Sequence, residues 1–153
     1  MFAAPAYVAA NADDHQYIEV IGNSVSAMIS GRGDDKGQLI KLLETLKRSL
    51  KLHFVIEENM MADLGYEGLS DHRSSHLLII SEVSDCLQSI AKDDEERNTG
   101  LWPHVKVMLR HHMQRFDRDL AEYIDRRAAL DRLGPAPVVL TPLLGGVSPG
   151  QVP

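Results

Sequence analysis

Cysteine occurs once in the 153 residues, at Cys86. A single thiol excludes a disulfide framework and a cysteine-built zinc site. Aromatic residues make up only 5% of the chain. A sheet sandwich draws on more Tyr, Phe, Val and Thr than this, so the composition favours helices. Basic charge is also short: 16 Lys and Arg face 22 Asp and Glu, for a net charge of −6. Affinity for nucleic acid is mostly electrostatic, and an acidic chain without a basic block is poorly made for it. Long apolar runs are missing too. Stretches such as Leu77 to Ile80 are far too short to span a bilayer. The opening MFAAPAYVAANA lacks the basic region of a signal peptide. The expectation is a cytoplasmic protein with no membrane and no nucleic-acid partner.

Proline and glycine are sparse until the end. Five of the seven prolines and four of the eleven glycines fall in residues 134–153. That composition excludes a helix and reads as a flexible tail or a linker. Residues 1–133 then form one domain, long enough to bury a core without staples. Three breaks divide it: ISGRGDDKG, the stretch from Gly65 to Ser70, and KDDEERNTG. Pro103 follows the third break, where it suits the first turn of a helix.

Between the breaks lie four segments of helical periodicity. The first runs from about Asp13 to Ser30, with Ile18, Gly22, Val25 and Ile29 on one face. The second runs from about Asp35 to Leu64, on a seam of Leu39, Leu43, Leu46, Leu50, Met60 and Leu64. The third, from about Ser70 to Ala91, carries Ile79, Val83, Leu87 and Ile90. The fourth, from about Pro103 to Arg132, carries Val105, Leu109, Phe116, Leu120 and Ile124. Four amphipathic helices on short loops make an all-α, up-down-up-down four-helix bundle.

Histidine is the residue in excess. There are seven, and several interrupt the apolar seams. His53 and Glu57 lie between Leu50 and Met60 on the second seam. His72 and His76 open the third, and His112 sits between Leu109 and Phe116 on the fourth. Residues four apart on a helix lie within about 40° of one another, so each pair shares a face. One such histidine is explained by a hydrogen bond to a neighbouring carbonyl. Five polar residues on three seams are not, because burying them unpartnered would cost several kcal/mol each. Imidazole nitrogen and carboxylate oxygen are ligands for iron or zinc, so a metal at the bundle centre resolves the conflict.

The other polar residues separate by the helical wheel. His104 and His111 fall on the side of the fourth segment away from its seam and face solvent. Asp117 lies five residues past His112, about 140° around an α-helix. It reads either as a surface aspartate or as a ligand bridging a wide site. His15 opens the first segment beside Asp13 and Asp14, a pattern more usual at a surface. It is also the only imidazole with which that segment could complete a four-helix site. A ferritin-type di-iron design is excluded, since no Glu-x-x-His step occurs in the chain.

At these residues the chain resembles the hemerythrin family, specifically its bacterial members. The stretch HFVIEENMMADLGYEGLSDHRSSH is similar to the family's central motif. It carries His53-x-x-x-Glu57, the Glu57-Glu58 step, Met61, Gly65-Tyr66 and His72-x-x-x-His76. HMQRFD supplies His112 and Asp117 in the family's His-x-x-x-x-Asp spacing. The resemblance covers about Asp13 to Tyr123. Two departures stand out. The aspartate-rich lead to the first histidine is loose, as NADDHQYIEVI around His15. Met108 stands where the family often has tryptophan.

The resemblance implies a non-haem di-iron centre with an oxo or hydroxo bridge. By analogy, His72, His76 and His112 bind one iron, and His15 and His53 bind the other. Glu57 and Asp117 bridge the two. That ligand count completes six positions on the first iron and leaves one open on the second, where dioxygen can bind. Ile18, Phe54 and Leu109 flank ligand positions and are the candidate pocket lining. The implied function is reversible dioxygen binding for carriage, storage or sensing, rather than an enzyme activity. The alternatives are a di-iron oxidoreductase acting on peroxide or nitric oxide, and a sensing module for a protein partner or fused signalling domain. A closed zinc site fits less well, since zinc favours four ligands.

Overall fold

The computed structural model describes residues 4–31, 35–93 and 95–133. The tail at 134–153 lies outside the described residues. Helix α1 spans Ala4–Ser30, α2 spans Lys36–Leu64 and α3 spans Leu69–Ala91. The fourth rod of the bundle has three parts: α4 at Glu95–His112, a π turn at Met113–Asp117, and α5 at Arg118–Leu133. Packing runs around the ring, α1 on α2, α2 on α3 and α3 on α4, with α1 also meeting α5. The all-α four-helix bundle expected from periodicity is the observed fold.

Local chemistry sets most boundaries. Asp35 caps α2 by accepting a hydrogen bond from the Gln38 backbone N–H at 2.9 Å. Gly65 ends α2 with φ at 64°, a left-handed conformation that glycine adopts without steric penalty. There the Tyr66 N–H reaches back to the Met61 carbonyl at 2.9 Å. Gly68 then starts α3 where a Cβ would come within 2.6 Å of the Tyr66 ring. Tyr66 in turn meets Tyr123 edge-on at 5.0 Å, and the Tyr123 hydroxyl donates to the Leu64 carbonyl at 3.1 Å. The tight α2–α3 turn is thereby pinned to α5.

Two helices begin earlier than the sequence breaks imply. Helix α1 starts at Ala4 rather than near Asp13, because AAPAYVAANA is rich in the best helix former. His15 is therefore an interior residue of α1, not a residue at its end. Helix α4 starts at Glu95, so Pro103 lies inside it and not in its first turn. An interior proline removes one backbone hydrogen bond. Its neighbours Trp102, 3% exposed, and Val105, fully buried, anchor that turn in the core and offset the loss.

The core divides into two apolar clusters. The larger is built on Val25, Leu43, Leu46, Leu50, Ile79 and Val83, with Trp102, Val105 and Leu109 from α4. The smaller holds Met60, Met61, Leu120 and Ile124. Between Leu50 and Met60 on α2, and between Leu109 and Leu120 on the fourth rod, the buried positions are His53, Phe54, Glu57, His112 and Asp117. A polar layer crosses the bundle there.

Candidate metal centre

Six members of that layer are almost wholly buried: His53, Glu57, His72, His76, His112 and Asp117 are each at most 4% exposed. His15, with 24% of its side chain exposed, closes the layer from α1. Their ligand atoms form two groups that share both carboxylates. One contains His72, His76 and His112, and the other His15 and His53. Each carboxylate turns one oxygen to either group. Glu57 Oε2 lies 3.4 Å from His72 Nε2 and 3.3 Å from His76 Nε2, while its Oε1 lies 3.5 Å from His53 Nε2. Asp117 Oδ1 lies 2.8 Å from His112 Nε2 and 3.1 Å from His72 Nε2, while its Oδ2 lies 2.8 Å from His15 Nε2.

The place of Asp117 depends on the π turn. In an uninterrupted α-helix its side chain would point about 140° from His112. A π turn takes one more residue per turn, so the fifth residue returns to the face that the fourth occupies in an α-helix. His112 and Asp117 therefore meet directly, and the wide site that the α-helical wheel required is replaced by a compact one. Phe116 inside that turn stacks near His112, with ring centroids 5.6 Å apart.

A second layer of side chains orients the rings. His53 Nδ1–H donates to Asp14 Oδ2 at 3.2 Å, and His76 Nδ1–H donates to Glu58 Oε1 at 3.0 Å. Arg73 Nε holds the other Glu58 oxygen at 2.8 Å. Ser75 Oγ lies 2.9 Å from His112 Nδ1. Phe54 stacks flat on His76 at 3.8 Å. Outward partners on Nδ1 leave Nε2 as the inward-facing atom, the arrangement that fixes a metal-binding tautomer. Glu58 stands in the central motif as part of the Glu57-Glu58 step but without a role, and Asp14 and Ser75 are not among the candidate site residues of the sequence. Each is a sequence neighbour of a seam residue, yet nothing in its spacing distinguishes it from a solvated side chain.

The polar atoms of these residues fit a metal. The Nε2 atoms of His15, His53 and His72 and both Asp117 oxygens are buried, close together and outside hydrogen-bond geometry. Leaving a buried polar atom unsatisfied costs about 1–3 kcal/mol, and more when it is charged. A cation in each of the two groups would satisfy these atoms. The electrostatics agree. Burial pushes the Glu57 carboxyl up, but His72 and His76 outweigh it and bring it down to about 2. Asp117 is likewise held well below the usual carboxylate range, despite burial, by His112, His15 and His72. Both acids are therefore ionised and able to serve a cation as ligands. For His72, burial is outweighed by Asp117 and Glu57, which raise it to about 9. Burial dominates at His112 and lowers it.

A cavity of about 10 Å³ adjoins the His15–His53 side. Ile18, Phe54 and Leu109 line it, together with Leu50 and Met113. His104 and His111 are exposed and take no part.

A four-helix bundle with a buried histidine–carboxylate layer defines a cation-binding helical domain. The family model described as Hemerythrin HHE cation binding domain matches residues 8–124. The chain belongs to the hemerythrin family. No curated protein and no solved structure matches it. Among the described residues no helix is long and apolar enough to cross a membrane.

Proposed function

We propose that this protein binds dioxygen reversibly at a pair of non-haem irons, for carriage, storage or sensing. His72, His76 and His112 hold one iron, and His15 and His53 hold the other. Glu57 and Asp117, which belong to both groups of ligand atoms, would serve both irons, with an oxo or hydroxo group as the remaining shared ligand. An iron pair held there would supply the two-electron redox chemistry that reversible dioxygen binding needs. The observation that carries this reading is the unequal donor set. Three imidazoles gather on one side of the shared carboxylates and two on the other. The poorer side keeps a position for an outside ligand, and it adjoins the cavity of about 10 Å³. A space of that size takes about one water-sized molecule.

The chain's own side chains favour binding over reduction. Ile18, Leu50, Phe54 and Leu109 keep bulk water from the open side. The polar side chains on the cavity wall are His15, His53, His112 and Asp117. All four serve as ligands in this reading, so no further acid stands there to deliver a proton. The test is the absorption spectrum of the ferrous protein. A charge-transfer band should appear in air and vanish under vacuum through several cycles, with about two irons per chain. Immediate irreversible oxidation in air would overturn the binding reading. One tightly held zinc, without iron, in protein made with ample iron would overturn the metal assignment.

A further inference from the structure

The seam between α1 and α4 is the loosest in the ring. Trp102 acts as a strut across it: its indole N–H on α4 donates to Ser26 Oγ on α1 at 2.9 Å. Opposite the indole lies Gly22, whose missing side chain leaves only Trp102 Cζ2 within reach, at 3.9 Å from an ideal Cβ. The result is a groove in two chambers that share Trp102, Lys106 and Arg110. The inner chamber is about 310 Å³ and ends on Ile18, Leu109 and Met113. Those three side chains also wall the small cavity beside His15 and His53. The outer chamber is about 520 Å³ and is bordered by Ser26, Ile29, Ser30, Pro103 and Val107. Both volumes fall in the range of small-molecule sites.

The charges around the groove are one-sided. The outer chamber carries two cations, Lys106 and Arg110, and no carboxylate. They stand four residues apart, so they share one edge of α4. Neither makes an ion pair among the described residues. Ser26 and Ser30 of α1 line the same space, the Ser26 hydroxyl donating to the Gly22 carbonyl at 3.0 Å while it accepts from Trp102. The inner chamber holds the apolar ends Ile18, Leu109 and Met113, with Glu19 at its rim. The shared Lys106 and Arg110 attract an anionic head from both chambers, and Glu19 weakens that attraction on the inner side only, so the head is held best on the outer side. An apolar tail gains most by lying inward.

We propose that the α1–α4 groove binds an amphipathic monocarboxylate, its head at Lys106 and Arg110 and its chain running inward over Trp102 to Leu109. From Lys106 to Gln114 the inner chamber follows α4 for about 12 Å, the length of an extended chain of about ten carbons, which advances about 1.25 Å per bond. The bound chain would end against the side chains that separate the groove from the metal centre. The site is built from residues outside the metal ligands, and its occupancy is measurable without reference to them.

Trp102 is the sole tryptophan of the chain, so its emission reports on this groove alone. The experiment titrates the purified protein with decanoate, decanol and decyltrimethylammonium, each below its micelle concentration. Decanoate should give a saturable change in Trp102 emission at concentrations at which the other two do not. The paired substitution Lys106→Glu and Arg110→Glu alters a half-buried and an exposed residue on the edge of α4 and should weaken decanoate binding about tenfold or more. Gly22→Leu places a helix-favouring side chain in the inner chamber and should abolish the response, with the far-ultraviolet circular dichroism unchanged. Equal responses to all three probes would reduce the groove to unspecific apolar surface and overturn the proposal. So would the absence of a saturable response, or undiminished decanoate affinity in the charge-reversed variant.

Discussion

Glu58 takes two hydrogen bonds at once, from His76 Nδ1–H at 3.0 Å and from Arg73 Nε at 2.8 Å. Burial pushes its carboxyl up, yet His76 and Arg73 outweigh burial and hold it below the usual carboxylate range. It is therefore an ionised acceptor on the outer nitrogen of a ring whose inner nitrogen faces the metal centre. A negative partner there makes Nε2 a stronger donor and fixes its tautomer. Removing such a partner lowers metal affinity about 10- to 100-fold, or about 1.4–2.7 kcal/mol. Glu58→Ala should fall in that range, measured as iron lost to a competing chelator under anaerobic conditions. Glu58→Gln keeps an acceptor but not the charge, so its loss should lie near the lower bound. Arg73 has 52% of its side chain exposed. Arg73→Ala should change iron affinity only slightly, because exposed ion pairs contribute about 0–1 kcal/mol. Thermal unfolding of the metal-free variants separates this role from a structural one. A loss of melting temperature without a loss of iron affinity in Glu58→Ala would refute the positioning role. Iron loss no greater than that of Arg73→Ala would refute it equally.

Three further outcomes are expected. His104→Ala and His111→Ala should leave iron content unchanged, while His53→Ala or His76→Ala lowers it by metal analysis; equal loss in all four would contradict the placement of the first two at the surface. Leu109→Ala removes part of the wall beside the small cavity and admits water and protons, so stopped-flow absorbance in air should show faster oxidation of the ferrous protein; an unchanged rate would mean that Leu109 guards nothing. Chemical denaturation of the metal-free protein should show greatest stability between about pH 4.5 and 6.5. Glu57 is lowered from 4.5 to about 2, so its contribution is full above 4.5 and is lost as pH falls towards 2. His72 is raised from 6.5 to about 9, so its contribution is full below 6.5 and is lost as pH rises towards 9. His112, lowered by burial, adds stability as pH rises towards 6.5 and is then saturated, so it tilts the plateau upward and leaves the alkaline loss to His72. Stability that kept rising from pH 6.5 to 9 would contradict this balance.

The bundle and its donor set were legible in the sequence because both rest on local periodicity. Apolar residues at steps of three and four define four faces, and a face is a property of one helix alone. His53, Glu57, His72, His76 and His112 stand on those faces, so their burial follows from the same count. Asp117 was not decided by that count. Its position depends on a π turn, and whether one extra residue is accommodated in a helix is settled by what the two ends of the rod pack against. Here Leu109 and Leu120 sit in separate apolar clusters, and the turn between them absorbs the mismatch. The start of α4 was misjudged for a related reason. Pro103 is a local signal for a helix start, but the burial of Trp102 and Val105 is a tertiary gain that outweighs it. Asp14, Glu58 and Ser75 became partners of the histidines only when α1, α2 and α3 met the rest of the bundle, since each bond joins residues 18 to 39 positions apart. The α1–α4 groove belongs to no helix at all. It exists because one indole holds two helices apart across 76 positions of chain, a distance over which sequence spacing carries no geometry.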